Sequence, residues 1–151
     1  MINMRPFTAF EQKNMKFLVN HNVNFTQVEI TPTGLGKGIL DSTAPMRTYF
    51  LENGIHNYEE QLQGQEYKQI KTACILTDTT QFFTKASFYR PNTKKGDPRM
   101  WIYGFGSYTE GNDIHVLFWY DKTLYSINIT HIDIEKCYNS AILTPMKEVI
   151  S

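Results

Sequence analysis

The chain has 151 residues, of which 41% are hydrophobic and 20% charged, so it has the material for one ordinary core and is too apolar for a disordered segment. Fifteen Lys and Arg balance fifteen Asp and Glu, so net charge selects no partner, and only the distribution of charge can. The bases outnumber the acids upstream of Met100 and the acids win beyond it, which predicts a polar protein with one basic face.

A single domain over residues 1–151 is expected, with its core at about 8–142. The start, MINMRPFTAFEQKN, lacks the apolar centre of a signal peptide, and no later run approaches the length of a membrane span. Cys74 and Cys137 lie far apart in apolar runs without metal spacing, which predicts reduced, buried thiols. Both features point to a cytoplasmic, intracellular protein with no membrane partner.

Thr8 and Glu11 have capping-box spacing ahead of Phe10, Phe17 and Leu18, predicting a short helix over 8–20. FTQVEI, 25–30, reads as a strand stopped at Thr31 and Pro32. The three glycines of TGLGKGILD make a weak helix, and the chain restarts a firmer one at Ser42, Thr43, Ala44 and Pro45. That helix places Met46, Tyr49 and Phe50 toward the core and stops at Asn53 and Gly54. Residues 55–65 are an amide-rich loop. Strands are then predicted over 66–76, 82–90, 99–103, 114–120 and 124–130, with Asp121 and Lys122 as the turn joining the last two. A final short helix is placed at about 133–142. Six strands with helices gathered early and late argue for an α+β fold, its mostly antiparallel sheet curled toward a barrel.

The stretch KASFYRPNTKKGDPRMWIY concentrates Lys85, Arg90, Lys94, Lys95 and Arg99 against one acid, Asp97. Strand-like flanks around PNTKKGDP predict a β-hairpin with a cationic tip. Lys and Arg beside Asn92, Thr93 and the Gly96 amide form a donor-rich loop suited to phosphate oxygens and base edges in a groove. Asp97 is expected to brace an arginine.

Other chemistry finds less footing. TGLGKG has Thr31 at the first glycine position of a phosphate loop and Gly38 where a hydroxyl would hold magnesium, so that motif is rejected. What survives is a glycine-rich turn whose amides and Lys37 could hold one backbone phosphate. His21, His56, His115 and His131 are scattered, and no metal site, cofactor or catalytic triad is expected from them. Asp41 followed by Glu66 and Lys68 has the order of an acid and an acid-x-Lys, the magnesium site of PD-(D/E)XK nucleases, and stands as the catalytic alternative.

SFYRPNTKKGDPRMWIYGF with DIHVLFWYDKTLYSINIT resembles the N-terminal, non-catalytic part of MvaI/BcnI-type restriction endonucleases: a Tyr-Arg-Pro, a Thr-Lys, a Gly-Asp-Pro-Arg and an aromatic strand. TPTGLGKGIL and the order of the KASFYR and WIYGFG segments are similar to the effector domain of EcoRII, a DNA-binding pseudobarrel shared with plant B-three transcription factors. The resemblance covers roughly residues 30–130. It implies an open pseudobarrel with short flanking helices and a free-standing recognition domain, with catalysis absent or supplied by another protein chain. In the nuclease part of those enzymes a Gly-Lys-Thr, a glutamate and a Pro-Asp are present; here Gly38 and Asp41 stand in the first two places and no Pro-Asp occurs.

The expected function is therefore double-stranded DNA binding, sequence- or modification-dependent. Arg90 and Arg99 are candidates for bidentate contacts and Lys94 and Lys95 for phosphates, with Lys37, Arg47, Lys68, Lys71, Asn92, Thr93 and Trp101 assisting. Besides the nuclease, a third reading is a small inhibitor or adaptor of phage–host defence that binds a protein through exposed tyrosines and the loop at 61–65.

Overall fold

The computed structural model describes residues 5–138 and residue 145. Seven strands form one sheet: β1 (Thr26–Ile30), β2 (Leu40–Asp41), β3 (Gln69–Leu76), β4 (Gln81–Tyr89), β5 (Arg99–Ile102), β6 (Asp113–Tyr120) and β7 (Thr123–Asn128), in the order β1-β6-β7-β3-β4-β5-β2. Every neighbouring pair is antiparallel except β3 with β7. The sheet curls until it is nearly closed, so the fold is α+β and barrel-like. β2 is the strand that sequence reading lacks: two residues carry no alternation, and only the pairing of Leu40 with Met100 and Asp41 with Arg99 defines it.

Strand alternation sorts the apolar residues into two cores. Inside the curl, Ala73, Ile75, Ala86, Phe88, Met100 and Ile102 meet Met46 and Phe50 of helix α3 (Ala44–Glu52). Outside it, Cys74, Leu76, Val116 and Ile127 are covered by Phe17 and Leu18 of helix α1 (Ala9–Asn20) and by Ile134 of helix α4 (Ile134–Cys137). Both cysteines are free, but only Cys74 is buried; Cys137 is half-buried on the short α4. Of the helix expected over 133–142, Asp133 caps α4 and Tyr138 ends it, and residues 139–142 lie outside the described residues.

Local chemistry explains the helix ends. Thr8 and Glu11 form the reciprocal capping box at α1. Thr31 Oγ1 accepts from the Gly34 amide and Pro32 occupies the first turn, starting helix α2 (Pro32–Lys37), which Gly38 ends at φ 67°. Thr43 precedes α3 without a side-chain cap bond, and Pro45 stands in its first turn. Asp121 and Lys122 both adopt positive φ, 49° and 59°, the backbone that a two-residue hairpin turn demands. The strand expected from residue 66 begins only at Gln69, because Gln65–Tyr67 forms a 3-10 turn first.

Candidate nucleic-acid interface

The cationic hairpin exists as expected. Tyr89 pairs with Arg99 and Ser87 with Trp101, and the turn Lys94–Gly96 closes the end. Lys95 and Gly96 take positive φ, 59° and 71°. A Cβ on Gly96 would stand 2.6 Å from Gln63 Cγ, so glycine is required by conformation and by space together.

Arg90 does not face outward. Its Nε donates to Gly96 O at 2.8 Å, and its Nη1 donates to Tyr58 O and Gln61 O, each at 3.3 Å. The Gly64 amide donates to Arg90 O at 2.7 Å, and Gln63 Nε2 reaches Lys95 O at 3.4 Å. The guanidinium thus satisfies carbonyls of two loops and locks the tip to residues 58–64, a bracing position in place of the expected DNA contact. Asp97 forms no ion pair with either arginine among the described residues. Its expected role as the brace is taken by backbone carbonyls at Arg90 and by Asp41 at Arg99.

The pairing of β2 with β5 sets that second contact: Arg99 Nε lies 3.9 Å from Asp41 Oδ1. Arg99 Nε is buried and has no hydrogen-bond partner. Lys68 Nζ sits 5.1 Å from the centre of the Tyr89 ring, a cation–π contact. Lys68, Tyr89, Arg99 and Asp41 therefore make a row across the sheet at the hairpin's base. Asn92, Thr93 and Lys95 are exposed at the tip, and Lys37 is exposed in the last turn of α2. Trp101 is half-buried, edge-on to Phe105 at 5.2 Å, with the Gly38 turn against its indole, so it serves as a wall more than as a free ring. The Lys94 side chain lies outside what is described.

Two expected residues point elsewhere. Arg47 Nη1 donates to Ser42 O at 2.6 Å, bracing the start of α3. Lys71 is on the inward alternation of β3 with Ala73 and lines a cleft of about 380 Å³ beside His56 and Gln69, away from Lys68. The odd spacing between Lys68 and Lys71 sends them to opposite faces.

Asp41, Glu66 and Lys68 are not brought together. Glu66 lies in the 3-10 turn before β3, and β4 and β5 separate β3 from β2, three inter-strand steps of about 4.8 Å each. The adjacent strands that an acid and acid-x-Lys site needs are absent from this arrangement.

The histidines are less scattered than their spacing implies. His131 Nε2 lies 3.1 Å from Asp113 Oδ1 and 3.8 Å from Glu110 Oε2, at a second cleft of about 380 Å³. The β6–β7 pairing folds residues 18 apart onto each other, a closeness that no local spacing signals. His115 is fully enclosed, its Nδ1 2.6 Å from Ser126 Oγ and its Nε2 2.9 Å from Thr109 Oγ1. Burial pushes its pKa down to about 3, so it is neutral and structural. His56 stacks on Phe88 and is likewise shifted down by burial.

No family model, curated protein or solved structure matches the chain.

Proposed function

We propose that this protein binds double-stranded DNA through the β4–β5 tip and the cationic row at its base. The observation that carries the reading is the double pinning of the tip by Arg90 and by Gly64 with Gln63. A loop held in one conformation loses less entropy on binding, and this one presents Asn92, Thr93 and Lys95 outward. Lys95, Lys68 and Lys37 supply phosphate contacts; Arg99, its side chain 16% exposed at the hairpin's base, is the candidate for a base or a directed phosphate contact.

The curled seven-stranded sheet is compatible with an effector-type pseudobarrel, the fold that the resemblance implies. On this reading the chain is a recognition module, and any cleavage belongs to a separate nuclease chain. Gel-shift titration of random duplex across a salt series tests it. Affinity is expected to fall steeply with salt as counterions are released from each neutralised phosphate. Absence of any shift at low salt sinks the proposal.

A further inference from the structure

Away from the tip, the outward face of β3, β4 and β5 is exposed at Ile70, Thr72, Phe83, Lys85 and Tyr103. Helices α1 and α4 cover that face over Cys74 and Leu76, and Ser87 and Tyr89 are buried nearer the tip, but the patch between them is open. Phe83 is 59% exposed, Ile70 47% and Tyr103 40%. Their placement is ordered: Thr72 pairs with Lys85, and the Tyr103 amide donates to Lys85 O at 3.0 Å, so Thr72, Lys85 and Tyr103 form one lateral row. Phe83 precedes Lys85 by two residues on β4 and shares its face, about 6.8 Å away. An exposed cation therefore stands between two exposed aromatic rings.

The charge on the outward positions of these three strands has one sign, the exposed Asp41 beside Arg99 standing on β2. The outward positions of β3, β4 and β5 carry Lys85 and Arg99, with Lys68 at the entry to β3, and no carboxylate. A two-fold contact between copies of the chain would oppose Lys85 and its flanking cations to themselves, which argues against self-association. A polyanion with planar groups matches both features. We propose that this face is a second nucleic-acid surface that takes an unpaired strand, with bases stacked on Phe83 and Tyr103 and the intervening phosphate at Lys85. Such a surface is centred on Lys85, apart from Lys95 at the tip, and tolerates any sequence, because every base has a π face.

The test is fluorescence anisotropy of a labelled oligothymidylate at low salt, with wild type and the variants Phe83→Ala, Tyr103→Ala, Lys85→Ala and Lys95→Ala. All four sites are exposed, and unchanged melting temperatures confirm folding. Wild type is expected to bind. Phe83→Ala and Tyr103→Ala should each weaken binding about tenfold, Lys85→Ala should flatten the salt dependence by about 0.7, and Lys95→Ala should change nothing. Lack of binding by wild type overturns the proposal, as does binding indifferent to both aromatic substitutions. Self-association abolished by Phe83→Ala, without oligothymidylate binding, also overturns it. Loss of duplex binding in Lys95→Ala with oligothymidylate binding intact supports two separate surfaces. Oligothymidylate binding by a protein that ignores duplex removes the tip reading and leaves this one standing.

Discussion

Arg90 Nε and Gly96 O are 2.8 Å apart, so the hairpin's own base residue holds its tip in place. The sequence puts Arg90 among five cations, where a contact with DNA is the natural expectation, yet the side chain is committed to three backbone carbonyls. Arg90→Ala should therefore destabilise the fold by about 1–3 kcal/mol, read by urea unfolding. Any loss of DNA affinity should come with an unchanged salt slope, since no phosphate contact is removed. A stable variant with a reduced slope would return Arg90 to the DNA.

Lys95 is predicted to behave in the opposite manner. It is exposed, and its replacement by alanine should leave the melting temperature unchanged while lowering the salt slope of duplex binding by about one. Arg99→Ala should cost about 1–3 kcal/mol of binding. Its 3.9 Å contact with a largely exposed Asp41 is a weak one and contributes little to stability, within about 1 kcal/mol.

The separated acids give a third test. Incubated with magnesium or manganese, the protein should leave plasmid DNA intact. Glu66→Gln should bind DNA as the parent does, whereas Lys68→Ala should bind more weakly because it removes a cation from the row beside Tyr89. Cleavage that vanishes in either variant would establish the nuclease alternative in spite of the strand order.

What the sequence displayed was local. The Thr8 and Glu11 capping box, the stop at Gly54, the turn at Asp121 and Lys122 and the hairpin at 82–103 are each set by neighbours within a few residues, and each is present in the structure. What it concealed is tertiary. β2 exists only through its register with β5; the carbonyl partners of Arg90 come from a loop some thirty residues upstream; Asp113 meets His131 only when β6 and β7 pair. The cations of 85–99 do share one hairpin, but Arg90 donates to backbone carbonyls, because donor count reveals nothing about which acceptors the fold will supply.

Acid should unfold the protein in two overlapping steps, and Glu11 and His115 define them. Glu11 is buried, and the Arg5 guanidinium, joined by hydrogen bonds from Thr130 and the Thr8 amide, holds its pKa near 2 against an ordinary 4.5. The unfolded chain therefore takes up this proton first. The resulting stability, at most about 3 kcal/mol, is complete above pH 4.5 and lost as pH falls toward 2. His115 shifts from 6.5 to about 3 because burial disfavours the charged ring, so again the unfolded state binds the proton first. Its contribution is complete above pH 6.5 and erodes as pH falls toward 3, and His56, shifted the same way, adds to that window. Melting temperature followed from pH 7.5 to 3 should begin to decline below about pH 6.5 and steepen below about 4.5. Glu11→Gln should lower stability at neutral pH and remove the steeper step; His115→Gln should flatten the shallower one. A wild-type melting temperature that stays level down to pH 5 would contradict the burial assigned to His115.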